Sequence, residues 1–174
     1  MWWIIIIGIV VALVIVLNNK KSEKGNHSSY GNTASTENLF NDMYKDLRNN
    51  QREALLDLAS MFATHIGTSS GNMNAVNSIF VPYSHMLGFN KAETMKRWGN
   101  LSGFNPKNMV SVLKTIDDKG VMDMALYTCF SLVNINRDPT MVELMGGIFN
   151  QLGYEDENIV STVRKIEAFG NMMR

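Results

Sequence analysis

Leu55-Leu-Asp-Leu-Ala-Ser-Met-Phe-Ala-Thr-His-Ile66 sets Leu55, Leu58, Phe62 and Ile66 three and four residues apart. That spacing lines side chains up on one face of an α-helix. The same period recurs outward along the chain. Met109, Val112, Leu113 and Ile116 form a second stripe, and Ile159, Val163, Ile166 and Phe169 a third. Alternating strand patterns are absent from Thr36 onward. The fold class expected is all-α.

Helix starts are marked as clearly as the stripes. Asn90 with Glu93 fits a capping box, in which each side chain satisfies the other's backbone N–H. Asn105-Pro106 and Asp138-Pro139 each put a capping side chain before proline at the first helical position. These signals predict helices near 37–48, 51–66, 73–87, 91–101, 106–118, 121–135, 139–152 and 156–172. Gly67, Gly88, Gly103, Gly120 and Gly153 fall at or near their ends, as C-terminal caps do. Pro82 is the misfit, expected to kink or break the third helix after about two turns. The expected domain spans 37–174, a compact bundle of about seven to eight short helices.

An internal echo runs through it. Leu87-Gly88-Phe89 and Leu152-Gly153-Tyr154 each close one helix and lead into another. Counting back, Ala59, Phe62 and Ile66 match Ala125, Thr128 and Leu132, while Val76, Ile79 and Phe80 match Met141, Leu144 and Met145. Two copies of one helical hairpin about a pseudo-twofold axis would give this pattern. Chance would too, since helix–turn–helix units look alike at this level.

The N-terminus differs in kind. Trp2 to Leu17 (WWIIIIGIVVALVIVL) contains no charge. As a helix it would span about 24 Å, slightly under a ~30 Å hydrocarbon core. Trp2 and Trp3 suit one interface, and Lys20 and Lys21 can extend toward headgroups at the other. A cleaved signal peptide would want a basic stretch before the apolar run and small residues after it, and has neither here. We therefore expect residues 1–17 to be a single transmembrane anchor. The lysines favour its C-terminal side, and the domain, in the cytoplasm (the inner membrane in a bacterial host), with a periplasmic or extracellular domain as the alternative. Residues 18–36 are rich in Asn, Ser and Gly and read as a flexible linker.

Composition narrows the partners. Sixteen basic and sixteen acidic side chains cancel, so no overall field favours nucleic acid. From Thr36 onward thirteen basic residues face fifteen acidic ones, a balance too small to indicate a partner. Cys129 is the only cysteine. It cannot form an internal disulfide, and its apolar surroundings mark it as a core residue.

The second hairpin resembles the tellurite-resistance protein B (TerB-like) family. The segment Leu126 to Ile159 carries the likeness, with Asp138-Pro-Thr-Met-Val-Glu143 opening one helix and Gln151-Leu-Gly-Tyr154 closing it. A weaker copy runs from Leu55 to Met95. A membrane segment ahead of such a domain also resembles anchored DnaJ-like co-chaperones, although no J domain follows. The resemblance implies an all-helical interaction module in stress-response or membrane-associated assemblies. Its signature, an Asp-Gly loop followed by a helix-start Glu, is thought to bind a divalent cation. This chain departs there. Its first loop, Gly67-Thr-Ser-Ser-Gly-Asn72, has no acid, and its second, Asn134-Ile-Asn-Arg-Asp138, sets Arg137 beside a lone Asp. A hard cation needs several converging oxygen ligands, so Asp138 reads more simply as a helix cap.

Other chemistry is sparse. His27 lies in the linker, and His65 is expected near a helix end, where a cation suits the dipole. Ser84 and His85 are adjacent on a helix, and so point apart. Asp117-Asp118 suits a turn, and Glu155-Asp-Glu157 supplies negative charge to a helix N-terminus. Thirteen methionines suit a pliable core or a binding surface. Lys96, Arg97 and Trp98 could meet headgroups or a base, or form a solvated face.

We expect a membrane-anchored, non-enzymatic adaptor with no catalytic residue, cofactor or metal. It would bind another protein through Arg137, Asp138 and Glu143, and lipid through residues 2–17. A metal-dependent sensor or enzyme subunit completed by a partner chain is the main alternative. A structural membrane protein self-associating through Gly8 and Ala12 of the anchor is the third class.

Overall fold

The computed structural model describes residues 43–98 and 105–172 of the 174. The expected anchor with Trp2 and Trp3, the linker with Lys20 and Lys21, and the start of the expected helix 37–48 lie outside them. Seven helices are present among the described residues, and no strand. They are α1 (Asn49–Ser70), α2 (Met73–Met86), α3 (Lys91–Arg97), α4 (Pro106–Leu113), α5 (Lys119–Val133), α6 (Pro139–Gln151) and α7 (Asp156–Met172). None of them is long and apolar enough to cross a membrane.

The starts form as their sequences require. Asn90 Oδ1 accepts from Glu93 N at 3.0 Å, and Glu93 Oε2 accepts from Asn90 N at 2.9 Å, closing the capping box of α3. Asn105 Oδ1 takes the Lys107 and Asn108 amides, and Asp138 Oδ1 takes Thr140 N at 2.9 Å. Asp118, expected in a turn, caps α5 through Val121 N at 3.2 Å. Each acceptor satisfies an amide that the first turn leaves without a helical partner.

The ends fall less where the stripes imply. The helix expected over 106–118 stops at Leu113. Thr115 and Ile116 bond back three residues, to Val112 and Leu113, tightening the last turn. The Thr115 carbonyl is then held at 2.9 Å by the amide of buried Gln51 at the start of α1. The helix expected to reach residue 48 ends at Tyr44. Arg52 draws the Tyr44, Lys45 and Leu47 carbonyls to its guanidinium and turns the chain into α1.

Gly67 lies inside α1 rather than at its end, and Gly71, at φ +65°, is the true cap. Gly67 instead admits a close neighbour: a Cβ there would stand 3.3 Å from the Trp98 ring. Gly120 sits in the first turn of α5, not at the close of the helix before it. Pro82 does not break α2. Its ring removes one bond of the ladder, and the helix continues for four residues beyond it.

α1 and α5 are the central pair. α1 packs against α2, α4 and α5, while α5 also receives α2, α6 and α7. The faces that meet carry the expected stripes: Leu55, Leu58, Phe62 and Ile66 are all fully buried, and so are Leu126 and Leu132 of α5. Burying each such side chain contributes about 1.5–3 kcal/mol before entropy is counted. Met109, Met122, Met141 and Met145 complete this core. Cys129 lies within it, and burial pushes its thiol well above the usual range.

The echo between Leu87-Gly-Phe and Leu152-Gly-Tyr is an identity of backbone. Gly88 has φ +89° and Gly153 φ +92°. In α2, Gly88 N bonds to His85 O and Phe89 N to Ser84 O. In α6, Gly153 N bonds to Asn150 O and Tyr154 N to Phe149 O. Both are Schellman caps, in which a left-handed residue lets two amides reach back to the last free carbonyls.

Candidate protein-binding face

The residues expected to contact a partner sit where α5 turns into α6. The chain leaves α5 through Asn134 and reaches Arg137, whose φ is +55°. Arg137 N bonds back to Val133 O at 3.0 Å, the single bond of a left-handed helix cap. Among the described residues it is the only non-glycine at positive φ. An L side chain in that conformation costs roughly 1–2 kcal/mol. The Arg137 side chain is exposed, and its Nε donates to Asn134 Oδ1 at 3.2 Å.

Asp138 follows as the cap of α6 and does a second task. Its Oδ2 lies 3.2 Å from His65 Nε2 on α1, so this loop is tied to the central helix. The His65 hydrogen bond, then that from Thr140 N, holds the Asp138 carboxyl below the ordinary range. His65 was expected near a helix end. It stands instead five residues short of it, because α1 runs on to Ser70.

Glu143 is exposed on α6, flanked by Val142 and Leu144, themselves 47% and 38% exposed. Three consecutive exposed positions show that this part of α6 has only its Met141 and Met145 edge in the core. Gly146 and Gly147 come next, and a Cβ at either would meet nothing within 4 Å. Mid-helix glycine costs about 1 kcal/mol against alanine, and packing inside this domain gives no reason for the pair. The glycine pair and its apolar neighbours were missed in the sequence reading. The adjacent glycines inside an otherwise helical pattern were the available signal. The loop thus brings Arg137 and Asp138 together, while Glu143 stands apart on the outer surface.

Comparisons with protein-family models, curated proteins and solved structures find no match for this chain. The site must be read on its own geometry. No group of three or more His, Cys, Asp or Glu that could hold a metal ion occurs among the described residues. Ser84 is buried, donates to Val81 O at 2.8 Å and lies 2.9 Å from Thr94 Oγ1, so it braces α2 against α3.

Two further side-chain clusters secure the Schellman caps. Asp57 of α1 holds Arg97 at 2.6 Å, with Glu53 at 3.2 Å, and the guanidinium lies 5.9 Å over the Phe89 ring. Asp123 of α5 accepts from Tyr154 Oη at 2.7 Å and from Lys119 at 2.6 Å, and that ammonium lies 5.0 Å over the Tyr154 ring. Burial lowers the Arg97 pKa, but Asp57 and Glu53 outweigh it and raise the value overall. Tyr154 is raised by burial and then by Asp123. Each is an acid, a cation and an aromatic ring satisfying one another, which suits a structural fastening.

Proposed function

We propose that this chain is a membrane-tethered, non-enzymatic helical adaptor that binds a protein partner at the start of α6. The single observation carrying this is Arg137, an exposed arginine kept at positive φ where glycine would cost less. The matching loop after α1 uses Gly71, at φ +65°. Strain retained at an exposed, charged position is a mark of use rather than of folding. Val142, Leu144 and the open glycines supply apolar contact area on the helix that this loop leads into, and let a partner helix approach closely. The partner that fits offers a carboxylate to Arg137 and an apolar helix to α6.

Three finer features belong to the same proposal. The two hairpins are copies of one unit, a relation supported by their matching caps and loops. The TerB-like resemblance is consistent with that arrangement and with an interaction role. The tether is residues 1–17, supported by their composition, with the domain on the cytoplasmic side.

The test is site-specific photocrosslinking in cells, with the crosslinker at Leu144 and, as a control, at Lys107. A discrete adduct at 144 is expected, absent at 107 and lost on Arg137→Glu with helix content unchanged. An adduct indifferent to Arg137→Glu, or none at 144, would overturn the assignment of this face.

A further inference from the structure

A second surface lies on the first hairpin and has a different chemistry. In α3, Lys91, Ala92, Met95 and Lys96 are exposed along one face. The opposite face buries Thr94 and turns Arg97 back to Asp57 and Glu53. Met95 is 48% exposed and Met73, at the start of α2, 44%. Trp98 joins them. Its ring packs edge-on against Phe80 at 5.5 Å, and the ring and the Met73 sulfur approach Gly67 together, 3.3 and 3.6 Å from where a Cβ would stand. Met73 and the half-buried Trp98 thus meet at Gly67, and exposed Met95 stands three residues before Trp98 in α3, with exposed Lys91 and Lys96 on the same helix.

The acids nearby are already engaged. Glu93 closes the α3 capping box, and Glu53 and Asp57 hold Arg97. Glu93 keeps its charge there, and Lys91 and Lys96 on the exposed face of α3 outnumber it at the rim of the patch. Tryptophan, methionine and lysine on one face suit the boundary between headgroups and acyl chains, where an aromatic ring and flexible apolar chains insert and ammonium groups meet phosphate.

The chain preceding Met43 indicates what lies opposite. It holds the uncharged stretch Trp2–Leu17, then 25 residues up to the described domain. With the tether proposed above, a coil of that many residues would span about 25–30 Å and hold the domain within its own width of a bilayer.

We propose that the Met73–Met95–Trp98 patch, with Lys91 and Lys96, is a second membrane contact that lays the domain against an anionic lipid surface. The contact rests on the tether proposed above only for proximity. It would leave the α6 face to the protein partner.

The test uses the full chain with vesicles, and labelling of Met95→Cys by a membrane-impermeant maleimide. Cys129 is buried and does not compete. Ser111→Cys, on the exposed side of α4, defines the accessible fraction. With phosphatidylglycerol vesicles, labelling of Cys at 95 should be about tenfold slower than with phosphatidylcholine vesicles, given two lysines near the surface. Position 111 should label equally in both, and Lys91→Glu with Lys96→Glu should restore the fast rate at 95. Equal rates at 95 in the two lipids would overturn the membrane face. Flotation with phosphatidylcholine vesicles reads the tether alone. A chain that floats with equal rates loses the patch and keeps the tether, whereas one that does not float but labels slowly with anionic lipid keeps the patch and loses the tether.

Discussion

The loop from α1 to α2 and the loop from α5 to α6 turn the chain alike with different residues. Gly71 and Arg137 both lie at positive φ, at +65° and +55°. Next come the two helix caps, Asn72 and Asp138. The Asn72 side chain does not cap its helix, whereas Asp138 caps α6 and also meets His65. Where these hairpins end, both use glycine, at 88 and 153. Backbone geometry alone explains a glycine at such a position. It does not explain an arginine, and the proposed role of the second loop rests on that contrast.

The hairpins also differ in how the position four residues before each capping glycine is filled. Ser84 there is buried and hydrogen-bonded toward Thr94, while Phe149 is fully buried against Tyr154, edge-on at 5.6 Å. Phe149→Ala should cost about 3–5 kcal/mol, the transfer loss plus a cavity. Ser84→Ala should cost about 1 kcal/mol or less, because Thr94 Oγ1 keeps the Asn90 carbonyl at 2.8 Å. Denaturant unfolding of both variants checks this, and equal losses would mean that the different filling of the two positions has no energetic consequence.

The glycines come next in size. Gly88→Ala and Gly153→Ala each force an L residue to φ near +90° and should cost about 1–2 kcal/mol. Gly88→Ala should be the worse. Its new Cβ would stand 3.1 Å from Arg52 Nη1, and that guanidinium is fixed by the Tyr44 carbonyl, while Gly153 has open space. A larger loss at Gly153 would show that the second cap carries strain not seen at the first.

How much of this could be read from sequence follows the range of each interaction. Caps built from neighbours were legible, as at Asn90, Asn105, Asp138 and the two Leu-Gly-aromatic closures. What depends on residues far apart was not. Nothing local to Gly67 announces Trp98, nothing near residue 115 announces the grip of Gln51, and His65 meets its partner 73 residues later. Arg137 and Asp138 were picked from a loop pattern. The backbone strain that sets Arg137 apart became visible only with φ, since arginine in a sequence carries no sign of it.

Exchanging the loop residues should separate folding from function. Gly71→Arg should destabilise by about 1 kcal/mol, and Arg137→Gly should stabilise by about 0.5 kcal/mol, the relief of strain being partly offset by a freer unfolded chain. Arg137→Gly should nevertheless weaken the crosslink at Leu144. If stability and crosslinking instead fell together, Arg137 would be serving the fold, and the contrast with Gly71 would lose its functional meaning.

The smallest effect distinguishes the two caps by pH. The Asp138 carboxyl is held below its ordinary value of 3.8, first by His65 and then by Thr140 N. A depressed carboxyl contributes its stabilisation fully above the unfolded value, and loses it as pH falls through the folded one. Asp138→Asn keeps a capping oxygen but no charge. Its unfolding midpoint should therefore lie below that of the unaltered chain at pH 6, and the two should converge as the solution is taken below 3.8. Other carboxylates titrate in both proteins and cancel in the comparison. Asn72 carries no proton to lose, so Asn72→Ser should leave this pH dependence unchanged. Curves for Asp138→Asn that stay parallel to those of the unaltered chain down to pH 3 would show that the His65 contact adds nothing to the cap.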